Sequence, residues 1–274
     1  MAGITEATAR RFDVRSADGT PLAVWVEGHG PPLVLVHGSL ADHSTFNPLV
    51  AELGNAMTTF SMDRRGFGAS GDATGYAIGR EFEDVAAVDA VAARTGRPVA
   101  LWGHSYGAGC AIGAALTGGV HRLVLYEPGL GIAYPPGSIE EIEAAVAAGD
   151  LETALLAVLT GVVGMTREEI AALRSSPRWP VLLAGVPTVP RECRAEHSWV
   201  YRPGLVDGIS APTLLLAGSE SPTMLREATD RAAAAIPGAR TLVLDGHAHL
   251  AAHTDPAMVA AVIRQFVLDG TEGG

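Results

Sequence analysis

A chain of 274 residues with 48% hydrophobic side chains can build one large α/β domain with an insertion, which argues against a disordered or small stapled fold. Its net charge of −11 argues against nucleic acid and anionic membranes as principal partners. Cys110 and Cys193, the only cysteines, read as buried thiols of a reducing compartment rather than a disulfide framework.

Residues 1–11 contain no apolar run of the kind that opens a secretory leader. The longest apolar stretch, 154–165, is interrupted by Thr160, Gly161 and Gly164 and is too short to span a bilayer. The expectation is a soluble cytoplasmic protein with no membrane partner. Residues 11–15 and 22–27 read as two strands joined through Asp18-Gly19, a hairpin signal. A buried strand over 33–36 runs into His37-Gly38-Ser39, and an amphipathic helix is expected from Thr45 to Leu53, ended by Gly54. A strand over 58–62 leads into the loop from Asp63 to Ser70. The helix expected over 80–94 has an acidic start that suits the helix dipole.

The apolar residues 99–102 then enter Gly103-His104-Ser105-Tyr106-Gly107, and small residues over 108–116 leave it as a helix. Strand, sharp turn and helix place a serine at the apex, with glycines on either side that let strand and helix approach closely. A plain serine hydroxyl is a poor nucleophile and needs a base nearby. One more strand over 123–126 closes on Glu127-Pro128-Gly129. From there to about Gly208 the alternation stops: helices are expected over 139–148, 151–163 and 168–174, with 176–190 interrupted by its prolines and irregular with short helices. The β–α rhythm returns with a strand over 213–217, a helix over 222–236, a strand over 241–244, Gly246-His247-Ala248-His249 and a helix over 256–268. Residues 269–274 are expected to form a frayed tail. The result is an α/β fold, a mostly parallel eight-stranded sheet flanked by helices, with a helical lid inserted after the sixth strand. Residues 1–128 and 209–274 form the core in this reading, and 129–208 the lid.

These features in this order resemble the α/β-hydrolase superfamily: Gly103-His104-Ser105-Tyr106-Gly107, His37-Gly38, the loop Asp63-Arg64-Arg65-Gly66-Phe67-Gly68-Ala69-Ser70, and Gly246-His247-Ala248-His249 with Pro256 seven residues on. The resemblance covers about residues 22–268 and implies Ser105 as nucleophile and His249, which closes the Gly-x-x-His turn, as base, with His247 as its fallback. The family most often takes its orienting acid three residues beyond the glycine of the seventh strand's turn, where this chain has Ser221. Glu220 lies one residue early, before what reads as an N-cap at Ser221 and a first helical residue at Pro222. The other candidate is Glu127, at the tip of the sixth strand, a position that some haloalkane dehalogenases use. Glu127 is favoured and Glu220 stays open as the alternative.

An oxyanion hole needs two backbone donors, expected from Ser39 and Tyr106. His37, Asp63, Arg64 and Ser70 read as scaffold, and His29, His43, His121, His197 and His253 as surface or packing residues. Serine rather than aspartate at position 105 argues against dehalogenase or epoxide hydrolase chemistry. No metal-ligand spacing and no nucleotide loop is present, so no cofactor and no metal is expected. The expected activity is hydrolysis of a small to medium apolar carboxylic ester, lactone or thioester, with Trp179, Trp199 and Tyr201 as candidate pocket residues or lid core. The alternatives are carbon–carbon hydrolysis or natural-product tailoring by the same residues, or ligand binding on a hydrolase scaffold.

Overall fold

The computed structural model describes residues 9–268. The leader reading at residues 1–8 and the frayed tail expected over 269–274 lie outside the described residues. Eight strands form one sheet: β1 (Arg10–Arg15), β2 (Pro21–Gly28), β3 (Pro32–Val36), β4 (Thr58–Met62), β5 (Val99–His104), β6 (Val120–Tyr126), β7 (Thr213–Gly218) and β8 (Arg240–Leu244). Their spatial order is β1-β2-β4-β3-β5-β6-β7-β8. The β1–β2 and β2–β4 pairs are antiparallel, and every later pair is parallel. At the hairpin tip Gly19 has φ +86°, and the Asp18 carboxylate accepts the Thr20 amide at 3.0 Å.

β3, β5 and β7 are buried along their whole length, which is why they read as unbroken apolar runs rather than alternating ones. Helices cover both faces. On one, α1 (Asn47–Leu53) and α11 (Pro256–Leu268) pack Leu49, Leu53, Val259 and Ile263 against Leu33, Leu35, Trp102 and Val124. On the other, α2 (Ile78–Ala92), α3 (Tyr106–Ala115) and α9 (Thr223–Ala235) pack Val85, Val88, Ile112 and Ala232 against Val34, Leu101 and Leu215. The spacings 85/88/92 and 259/263/267 are the helical periodicity that turns one face inward.

Between β6 and β7 lie α4 (Ser138–Ala147), α5 (Leu151–Gly161), α6 (Arg167–Arg174), α7 (Trp179–Gly185) and α8 (Val189–Ser198). They share a hydrophobic cluster built on Ile139, Leu155, Val158, Leu182 and Val189, which also takes in Leu40 and Leu225 from outside that segment. No helix among the described residues is long and apolar enough to cross a membrane.

Local expectations differ from the structure at identifiable places. Thr45–Leu53 is not one helix: a 3-10 turn over His43–Phe46 precedes α1, whose Pro48 sits in its first turn, and Gly54 keeps a right-handed conformation. The stretch 176–190 contains the short helices expected of it and is more continuous than expected, because Pro180 and Pro190 each occupy the first turn of a helix, where a missing N–H costs nothing. Pro222, not Ser221, caps α9, which begins at Thr223. A short helix not expected from the sequence, α10 (Ala251–Thr254), precedes α11.

Candidate active site

Ser105 stands between β5 and α3 with φ 55° and ψ −123°, a strained conformation for a residue with a Cβ. Its surroundings hold it there. The Ser105 amide donates to the Tyr126 carbonyl at 2.9 Å, and its own carbonyl accepts from the amides of Ala108 (3.0 Å) and Gly129 (3.2 Å). A Cβ at Gly107 would lie 2.3 Å from the His37 carbonyl oxygen, so only glycine lets the first turn of α3 meet the end of β3.

Glu127 follows β6 and also has a left-handed backbone, with φ 45°. Its carboxylate is fully buried and doubly engaged: one oxygen accepts the Gly218 amide at 2.7 Å, the other accepts Nδ1–H of His249 at 2.5 Å. Those two donors satisfy a charge that burial would otherwise penalise heavily. The turn that carries His249 is held by two further bonds, from the Tyr126 hydroxyl to the Ala248 carbonyl and from Nε2–H of His104 to the His249 carbonyl (2.9 Å). His104 was not singled out from the sequence, where it fills a variable place beside the serine. Its ring lies 4.5 Å from that of His249, and burial, then the neighbouring His249 charge, hold it well below the ordinary histidine value.

The alternatives lie elsewhere. Glu220 is exposed, and its amide rather than its carboxylate meets this turn, donating to the His247 carbonyl at 2.9 Å. The His247 ring points to Asp255, 3.8 Å away. Ser105 and His249 line one cavity, but among the described residues no hydrogen bond joins the Ser105 hydroxyl to the His249 ring. Such bonds are commonly long in an unliganded site and tighten around substrate.

The loop 37–39 lies against the serine: a Cβ at Gly38 would stand 2.9 Å from the Ser105 Cβ and 3.1 Å from the His104 carbonyl oxygen. His37 braces this loop. Its Nδ1–H donates to the Gly38 carbonyl at 2.8 Å and its Nε2 accepts the Arg64 amide at 3.0 Å. Burial, aided by the Arg64 charge, lowers His37 to about 4, so its ring stays neutral and its two roles stay fixed. The amides of Ser39 and Tyr106 donate to no backbone acceptor among the described residues, as expected after a strand end and at the first position of a helix.

Arg64 is buried beneath this loop. It pairs with Glu81 of α2 through two bonds, of 2.8 and 3.0 Å, and with Glu192 of α8, and its guanidinium lies 4.5 Å from the ring centre of Tyr106. Burial works to raise the Glu81 carboxyl, and the Arg64 charge outweighs it, holding Glu81 below its ordinary value; Glu192 is pushed up by burial. Asp63 accepts the amides of His43 (2.8 Å) and Ala69 (2.7 Å), tying together loops far apart in sequence. Folding also brings Asp42, His43 and Asp63 into a cluster able to hold a metal ion, which no linear spacing announced because Asp63 belongs to another loop. Their donor atoms are already engaged, His43 with Asp63 at 2.8 Å and Asp42 with the Ser44 amide at 2.9 Å, and His43 stacks on Trp25.

The cavity above Ser105 is walled mainly by aliphatic side chains of the segment between β6 and β7, among them Val158, Val162 and Leu182. The tryptophans take no part in it. Trp179 is packed in the helical cluster, and Trp199 and Tyr201 line a separate surface groove. Glu196 and Cys193, from α8, do face the cavity. Glu196 is buried and accepts the Tyr134 hydroxyl. Burial pushes its carboxyl up to about 8, against the opposing effect of that hydrogen bond. The unfolded chain releases this proton near the ordinary 4.5 and the folded chain near 8, so the stability Glu196 contributes is full below the lower value and is lost as pH rises to the higher one. Thermal melts of Glu196→Gln are therefore expected to fall less steeply between these limits than those of the parent; parallel curves would contradict this.

Residues 33–262 match the model of the "Alpha/beta hydrolase family". The chain is 32% identical to a pimeloyl-[acyl-carrier protein] methyl ester esterase of Stenotrophomonas maltophilia, over 91% of this chain and 98% of that one. It is 25% identical to a 2-(acetamidomethylene)succinate hydrolase of Mesorhizobium japonicum, over 94% and 95%. Among solved structures, an alpha/beta hydrolase from Sphaerobacter thermophilus superposes with a TM-score of 0.80 at 32% identity, covering 93% of this chain and 99% of that one.

Proposed function

The chain belongs to the alpha/beta hydrolase family, and from that membership we propose that it is a serine hydrolase cleaving a carboxylic ester through an acyl-enzyme on Ser105. The observation that carries this reading is the buried Glu127–His249 pair at the wall of the cavity that Ser105 also lines. With Nδ1–H committed to Glu127, the neutral imidazole keeps its lone pair on Nε2, the nitrogen a general base must offer. Substrate binding brings the Ser105 hydroxyl within reach of Nε2, which takes its proton as the oxygen attacks the ester carbonyl. The amides of Ser39 and Tyr106 hold the resulting oxyanion. His249 then protonates the departing alcohol. A water molecule, deprotonated by the same nitrogen, attacks the acyl-enzyme and releases the carboxylic acid with Ser105 restored.

In this reading residues 129–208 form a cap over a core made of 1–128 and 209–274, and the aliphatic wall selects a small to medium apolar ester, lactone or thioester. The esterase named among the relatives supports ester cleavage. The test is a series of 4-nitrophenyl esters from acetate to octanoate. Saturable turnover with an optimum in chain length is expected; failure to hydrolyse any of them would favour carbon–carbon hydrolysis or a binding protein.

A further inference from the structure

The aliphatic cavity contains one guanidinium, that of Arg178, which lies in the connection between α6 and α7. Its backbone is fixed on both sides: the Arg178 amide donates to Ser176 Oγ at 3.2 Å, and the next residue, Trp179, is buried in the helical cluster. Three other arginines of the same segment are each paired with a carboxylate. Arg174, at the end of α6, pairs with Glu152, Arg191 with Asp72, and Arg194 with Glu140 and Glu143. Arg178 has no ion pair and no side-chain hydrogen bond among the described residues, and Asp42 acts on it only at longer range. It is half-buried at the wall of a cleft whose lining is largely apolar, and among the described residues its planar fork of donors has no protein partner.

A protein of net charge −11 repels anions from its surface, so a cation kept free inside its cavity alters what the site can accept. We propose that Arg178 is a specificity-determining residue and that the natural substrate is an ester whose otherwise apolar body ends in an ionised carboxylate, seated on the Arg178 guanidinium while its ester carbonyl faces Ser105. A single planar fork matches one carboxylate bidentately. The inference rests on the serine-hydrolase reading for the reaction, but not for the binding of the anion.

The probes are monoethyl succinate and ethyl 4-methylpentanoate, which differ in a terminal carboxylate against an isopropyl group. The ratio of their kcat/KM values is expected to fall about 10- to 100-fold in Arg178→Gln, the span of a charge-assisted hydrogen bond, chiefly through KM of the anionic ester. Arg178→Lys should keep much of the preference, and Arg174→Gln should keep all of it. A ratio that moves equally in Arg178→Gln and Arg174→Gln overturns the proposal. Calorimetric binding of monoethyl succinate to Ser105→Ala protein needs no turnover and no change at position 178; binding that weakens as salt is raised is expected. Absence of binding, or binding indifferent to salt, overturns the proposal even if Arg178→Gln does not fold. Should no ester be turned over while the half-ester still binds in a salt-sensitive way, the hydrolase reading fails and the anion site stands.

Discussion

Replacing Glu127 with glutamine is expected to lower kcat by about 10³- to 10⁴-fold, whereas Glu220→Gln leaves it within about twofold of the parent. The reason lies in the two donors that Glu127 serves, the Gly218 amide at 2.7 Å and the His249 Nδ1–H at 2.5 Å. A carboxylate accepts both. An amide accepts with its oxygen alone, and the Gly218 amide, a fixed backbone donor, claims that oxygen. The side-chain NH₂ then faces His249 Nδ1, which must become the acceptor, and the ring proton moves to Nε2. The nitrogen that should take the serine proton now carries one of its own. Steady-state kinetics on a 4-nitrophenyl ester, with circular dichroism as the check on folding, decide the matter. An active Glu127→Gln variant, or an inactive Glu220→Gln one, would show that the orienting acid has been assigned to the wrong residue.

The second large effect is on stability. Arg64→Met is expected to cost about 3–5 kcal/mol, because it leaves Glu81 and Glu192 buried with no cation between them. Deprived of Arg64, both carboxyls bind protons more tightly in the folded chain than in the unfolded one, so the variant loses further stability as pH rises through neutrality. Adding Glu192→Gln to Arg64→Met should recover part of the loss, since it removes one of the stranded charges. Chemical denaturation of the parent, the single and the double variant measures all three quantities. A loss of under about 1 kcal/mol in Arg64→Met, the scale of an exposed ion pair, would contradict the reading of this cluster as the buried tie between α8 and the core.

Much of the architecture was legible because it is written in local patterns. Unbroken apolar runs marked β3, β5 and β7, and paired glycines marked the turn that strains Ser105. What stayed ambiguous depends on which strands lie side by side. β6 and β7 are parallel neighbours with Tyr126 opposite Leu216, so Glu127 and Glu220 both emerge at the same edge of the sheet and no spacing along the chain separates them. In the folded chain it is the Glu127 carboxylate, on a residue with a left-handed backbone, that both Gly218 and His249 engage. The same limit hid His104, whose partner is 145 residues away, and the Arg64–Glu192 pair, 128 residues apart. Pro180 and Pro190 resemble breaks in a linear reading, yet each opens a helix, because a residue that cannot continue a helix can still begin one.

The central claim is that the Ser105 hydroxyl is made nucleophilic by the His249–Glu127 pair, and the most direct measurement is reaction with a fluorophosphonate followed by intact-mass and peptide mapping. The prediction is a single stoichiometric adduct on the peptide containing Ser105, formed within minutes by the parent and suppressed in His249→Ala. Protein that hydrolyses esters yet stays unlabelled at Ser105, or that labels equally fast without His249, would contradict it.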